Sequence, residues 1–246
     1  MEMPFDRTKV IENLTNSNKL LKNQPFLPNL RGNIDMKFFF TSLFYLLLTA
    51  LFSFCSAQLY LKDKVLNSYT YLALGDSYTI GESVKEELRW PNLLQQALIE
   101  EGISIEPPKI IAKTGWRTDE MLNRAKSERE GKQQFDLVTL LIGVNNEFQG
   151  RSPESFEPEF EDCLDFAIKQ CKTKNKGVVV LSIPDYAFTP FGQQKRRTIS
   201  PRIDAYNNMC KEICSQNDVL FLDITSISRK GLQNPTLVAR DNLHPS

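Results

Sequence analysis

Ser77 closes the tripeptide Gly75-Asp76-Ser77 directly after the apolar run Tyr71-Leu72-Ala73-Leu74, and the only histidine, His244, lies at the other end of the chain in Asp241-Asn242-Leu243-His244-Pro245. A serine hydroxyl is a weak nucleophile at neutral pH and needs a general base, itself oriented by a carboxylate. His244 is the only imidazole available. Asp241 stands close enough before it that one tight turn can set the carboxylate beside Nδ1 and leave Nε2 to face Ser77. These residue types in this order point to acyl transfer.

Acyl transfer builds an oxyanion that preorganised donors must meet. Two more segments stand out. Ala112-Lys113-Thr114-Gly115-Trp116 closes a predicted second strand, and Leu140-Leu141-Ile142-Gly143-Val144-Asn145-Asn146 closes a third. Gly-x-Ser-x-Gly, the elbow of the α/β-hydrolases, is not the pattern around Ser77.

Together these four blocks resemble the GDSL esterases, also called SGNH hydrolases, over residues 69–246. The resemblance implies Ser77 as nucleophile, Asp241 and His244 as its partners, and Ser77 N–H, Gly115 N–H and Asn145 as the oxyanion hole. It implies no metal and no organic cofactor, and a small-molecule ester or acylated lipid or glycan as substrate. Trp116, beside the oxyanion glycine, Asn146, and the loop aromatics Tyr186 and Phe188 are candidate substrate contacts. The chain departs from the family in three places. Asn146 stands where the third block usually has Asp, Tyr78 stands where Leu gives the family its name, and the C-terminal helix that normally follows the histidine is missing after Ser246. That last departure predicts a mobile segment over 241–246, with the chain either a fragment of a longer one or one whose base sits on a loose end. Two rival readings keep the fold: a catalytically inactive ligand- or carbohydrate-binding module, and an acyltransferase using the same acyl-enzyme.

The elements that must position these residues alternate. Apolar runs over 69–75, 105–112, 135–143, 177–183 and 219–227 read as buried strands. Helical spacing marks 91–101, 118–128, 158–174 and 203–215, with Pro91 and Pro158 suited to first helical turns. The prediction is a doubly wound three-layer α/β/α flavodoxin-like fold with a mostly parallel five-stranded sheet. In such sheets ligands bind beyond the carboxyl ends of the strands, where Ser77, Gly115 and Asn145 all fall.

Residues 38–57 carry no charge, follow Met36-Lys37, and end on Ala57. This reads as a signal peptide or membrane anchor over 36–57, and hence as export to the periplasm or medium, with membrane association through 38–57 the other outcome. Residues 1–35 are polar and unpatterned, which suggests synthesis starting at Met36; 58–68 read as a linker. Phe54 is too bulky to precede a lipidated Cys55. Thirty basic residues balance thirty acidic ones, which gives no sign of nucleic-acid binding. Lys195-Arg196-Arg197 reads as a solvated loop, the acidic stretch 154–165 as a helix face. Cys163, Cys171, Cys210 and Cys214 fall on two predicted helices without a CxxC. A monomer is expected.

Overall fold

The computed structural model describes residues 45–46, 48–54, 56, 68–129 and 134–246. The chain divides into two units, 1–58 and 59–246. In the first, the described residues are helical; the rest of the apolar run, Cys55 included, and the leader 1–35 lie outside the described residues. Among the described residues, no helix is long and apolar enough to cross a membrane.

The second unit is a five-stranded sheet in the order β2-β1-β3-β4-β5, with every pair parallel. The strands are β1 (Tyr71–Gly75), β2 (Lys109–Ala112), β3 (Leu137–Leu141), β4 (Val178–Leu181) and β5 (Leu220–Leu222). Both faces are covered over the middle of the sheet, so β1 is buried along its whole length. Its side chains alternate between two clusters. Leu72 and Leu74 join the main core with Val138, Leu140, Phe156, Phe160 and Leu164, beneath α3 (Thr118–Arg129), α5 (Pro153–Gln170) and α6 (Arg196–Gln216). Tyr71 and Ala73 face the other way, against Trp90, Leu94 and Leu98 of α2 (Trp90–Glu100). The predicted three-layer architecture is thus the observed one.

Element boundaries differ from the predicted ones for local reasons. Pro107-Pro108 withdraw two donors, so the second strand keeps only an isolated bridge at Ile105 before β2 proper. The predicted strand over 219–227 stops at Leu222, because the Asp223 carboxylate accepts from Thr225 N–H at 2.9 Å and turns the chain into α7 (Thr225–Ser228). The helix expected from Pro158 starts earlier. Ser152 caps it through Ser155 N–H and Pro153 takes its first turn, leaving Pro158 inside. Helix α6 likewise begins at Arg196 and contains Pro201. The four later cysteines are free and buried.

Gly143, at the junction of β3 and α4 (Val144–Phe148), has φ 123°, and a Cβ there would meet Ile183 Cδ1 at 2.9 Å and the Phe156 ring at 3.0 Å. Its backbone angle is one that L side chains rarely adopt, and its neighbours are core. Gly143→Ala should therefore cost roughly 2 kcal/mol or more in folding stability. Urea unfolding checks this, and an unchanged midpoint would sink it.

Candidate active site

Strand register brings the sequence blocks together. Gly75 is level with Ala112 on one side and with Leu141 on the other. The residues that leave these three strands therefore emerge side by side. Ser77, Gly115 and Asn145 line one cleft of about 160 Å³, and His244 closes it with Tyr78 and Tyr186.

Ser77 opens the single-turn helix α1 (Ser77–Ile80). Asp76 caps that turn, its Oδ1 accepting from Tyr78 N–H at 3.0 Å. The Trp90 indole of α2 donates to the Tyr78 carbonyl at 3.0 Å, clamping the turn from the other side. The buried ring of Tyr78 meets the His244 ring edge-on, centroids 5.7 Å apart.

His244 is held through Asp241. Nδ1 lies 2.6 Å from Asp241 Oδ2, while Oδ1 accepts from the Leu243 and His244 N–H groups at 2.9 Å each. Partial burial pushes the Asp241 carboxyl up, but hydrogen bonds from His244, Ser83 and Leu243 outweigh it and hold it well below the usual carboxylate range. It is thus an anion beside the imidazole. The segment expected to be mobile is tied down: Ala239 N–H bonds the His244 carbonyl, Ser246 N–H the Leu237 carbonyl, Phe191 N–H the Asn242 carbonyl, and Val238 bridges Pro245.

On the oxyanion side, Gly115 has φ 85° with open space where a Cβ would stand. Asn145 donates one amide hydrogen to the Trp116 carbonyl at 3.0 Å, which fixes the amide plane and leaves its second hydrogen uncommitted in the cleft.

The four predicted substrate contacts fall in different surroundings. Asn146 is fully buried. Its oxygen accepts from Thr118 N–H at 3.2 Å and its nitrogen donates to Thr118 Oγ1 at 2.7 Å and Glu159 Oε2 at 3.0 Å. A carboxylate there could not donate to Glu159, which accounts for Asn in place of the family's Asp. Trp116 contributes its carbonyl to Asn145 while its ring packs on the core. Phe188 is partly buried against the core, with the Arg196 guanidinium 5.2 Å above its ring. Tyr186 does line the cleft, by its ring: its hydroxyl donates to buried Glu147 at 2.9 Å, and Arg202 pairs with that carboxylate at 3.2 Å. Asp76, Trp90, Glu147 and Arg202 were not singled out in the sequence; Asp76, between the glycine and the serine, was the one whose position could have drawn attention.

An apolar hollow of about 280 Å³ adjoins the cleft and shares Tyr78, Tyr186, Leu243 and His244 with it. Among the described residues no group of three or more His, Cys, Asp or Glu side chains could hold a metal ion.

The profile of the GDSL-like lipase/acylhydrolase family matches residues 73–246, and the chain belongs to that family, a class of carboxylic ester hydrolases. No curated protein matches it significantly. Among solved structures it is similar to a lipolytic G-D-S-L family protein from Veillonella parvula, at 14% identity, TM-score 0.58, over 72% of this chain and 89% of that one. It is also similar to the psychrotrophic esterase EstA from Pseudoalteromonas sp., at 16% identity, TM-score 0.53, over 73% and 88%. A lipase/acylhydrolase from Enterococcus faecalis matches at 18% identity, TM-score 0.55, over 72% and 87%. At these identities the likeness shows the shared fold.

Asp76 carries a testable pH signature. Burial pushes its carboxyl up from 3.8 to about 7, against the lowering effect of the Tyr78 N–H and its own N–H. A carboxyl whose folded-state pKa is raised keeps its proton in the fold after the unfolded chain has lost it, so stability falls as pH rises between those values. Relative to wild type, Asp76→Asn should gain stability steadily from about pH 4 to about pH 7. Urea unfolding across that range reads the difference, and parallel curves for the two proteins would refute it.

Proposed function

We propose that the protein is an exported serine esterase that works through an acyl-enzyme. The Ser77 hydroxyl attacks the ester carbonyl carbon while His244 Nε2 takes its proton, and Asp241 stabilises the imidazolium. The tetrahedral oxyanion is met by Ser77 N–H, Gly115 N–H and the free amide hydrogen of Asn145. His244 returns the proton to the departing alcohol, and an acyl-Ser77 remains. Water, deprotonated by His244, then releases the acid. The observation that carries this reading is the single cleft on which Ser77, Gly115, Asn145 and His244 converge, with Asp241 hydrogen-bonded to the imidazole from behind.

Export rests on the uncharged run over 38–57 and its Ala57 exit. Fractionation of the native host with N-terminal sequencing tests it, and a cytoplasmic product that retains residues 38–57 would overturn it.

Hydrolysis of p-nitrophenyl acetate tests the chemistry. Ser77→Ala should abolish turnover with the fold intact, and an organophosphonate should label Ser77 and no other serine, as read by peptide mass spectrometry. Turnover surviving in that variant would remove Ser77 from the nucleophile's role. Asn145→Ala should lower kcat by about 100-fold or more at nearly constant KM; a change confined to KM would make Asn145 a substrate-binding residue instead.

A further inference from the structure

Lys195-Arg196-Arg197 reads in the sequence as a solvated loop, and the ester chemistry makes no use of it. In the structure a 3-10 turn over Gln193–Lys195 carries the three cations into the start of α6, where all three are exposed. A helix start favours anions, so the fold gains nothing from cations there. Arg196 lies over the Phe188 ring, yet among the described residues none of the three enters an ion pair. No aspartate or glutamate occurs between Tyr186 and Ile203, while Arg202 adds a fourth cation to that stretch. A chain of zero formal net charge thus gathers one sign of charge on one segment.

This charge borders the mouth of the cleft. Phe148, Phe191, Lys195 and Arg202 line one hollow of about 520 Å³, which shares Phe148 and Tyr186 with the cleft of Ser77. Phe148 and Phe191 are 58% and 55% exposed, with ring centroids 6.4 Å apart. Adjoining exposed rings of this kind mark a surface that something apolar covers. The segment that presents Phe191 is also fixed to the histidine loop, since Phe191 N–H donates to the Asn242 carbonyl at 3.1 Å. The apolar hollow of about 280 Å³ joins the same cleft through Tyr78, Leu243 and His244.

We propose that this face docks on an anionic lipid surface, with Phe148 and Phe191 entering the interface and Lys195, Arg196 and Arg197 against the headgroups. The proposal rests on the esterase reading above for what the docked cleft does. Exposed aromatics beside clustered cations are the composition that seats a protein on an anionic interface. Each cation close to such a surface contributes about fivefold in partitioning, a gain that salt screens. A polyanion in solution would satisfy the cations and leave both rings in water, so a lipid surface is the better match. The substrate class that follows is an amphiphilic ester presented at that interface, its apolar chain matched to the hollow that Tyr78 and His244 also line.

Amide exchange of the full chain, read by peptide mass spectrometry, tests the docking on two kinds of vesicle: phosphatidylcholine alone, and phosphatidylcholine with an equal part of phosphatidylglycerol. The segment 189–198 is expected to exchange roughly tenfold more slowly on the anionic vesicles and unchanged on the zwitterionic ones. Raised salt should remove that protection, as should the combined Lys195→Gln, Arg196→Gln, Arg197→Gln variant, and Phe191→Ser should lose most of it. The reading is local, so the apolar run over 38–57, common to every arm, cancels. On p-nitrophenyl decanoate held in the same vesicles, turnover should be about tenfold faster with the anionic ones. The triple variant should lose that preference while hydrolysing p-nitrophenyl acetate in lipid-free buffer at the wild-type rate. Equal exchange on the two vesicles, or protection that either variant retains in full, would overturn the docking face. So would protection by dextran sulfate and none by anionic vesicles, which would make the partner a polyanion. Persistent turnover in Ser77→Ala would bring down the esterase reading instead, and the exchange arm does not depend on turnover.

Discussion

Parallel register between β2, β1 and β3 is the constraint on which the site depends. Gly75, Ala112 and Leu141 lie level across three hydrogen-bonded strands. Because the strands run the same way, each hands its next residues to the same edge of the sheet. A slip of one residue in either pairing would turn core side chains to the opposite face, and Leu72 and Leu74 would leave the cluster they share with Val138 and Leu140. The core penalty for misregister is also what protects the alignment of Ser77, Gly115 and Asn145.

Beyond the strands, positioning passes to side chains bonded to loop backbone. Trp90 holds the Tyr78 carbonyl, Asn145 the Trp116 carbonyl, and Asn146 the Thr118 N–H. Each of these bonds joins one block to a neighbouring element. The cleft is thus built from loops, yet its loops are pinned to α2, α3 and α5 by polar contacts that are largely buried, where an unpaired donor or acceptor is costly.

Fold class and the five residues that meet at the cleft were legible in the sequence because each has a local signature. Buried parallel strands need continuous apolar runs, the turn at Gly115 needs a residue able to take φ 85°, and a lone histidine after an aspartate leaves few roles to assign. Side-chain direction at the end of a strand has no such signature. Trp116 and Phe188 were placed beside the site by position, and tertiary packing sets each ring partly against the core. Asn146 looked like a site residue because it adjoins one; its true partner, Glu159, is on α5. The left-handed backbone at Ser83, φ 62°, is likewise not announced by any propensity of serine. Pro158 misled in the opposite sense, since it lies within a helix whose flanking packing outweighs the lost hydrogen bond.

The chain contains two tryptophans, and both are hydrogen-bonded to residues that line the cleft: Trp90 by its indole N–H to the Tyr78 carbonyl, Trp116 by its carbonyl to the Asn145 amide. Intrinsic indole emission is therefore a local optical gauge of the active-site loops. Under the proposed mechanism, acylation of Ser77 or filling of the cleft beside Gly115 and Asn145 would alter the surroundings of one or both rings, so that ligand binding and single-turnover acylation could be followed in stopped flow without a chromogenic substrate or an attached dye.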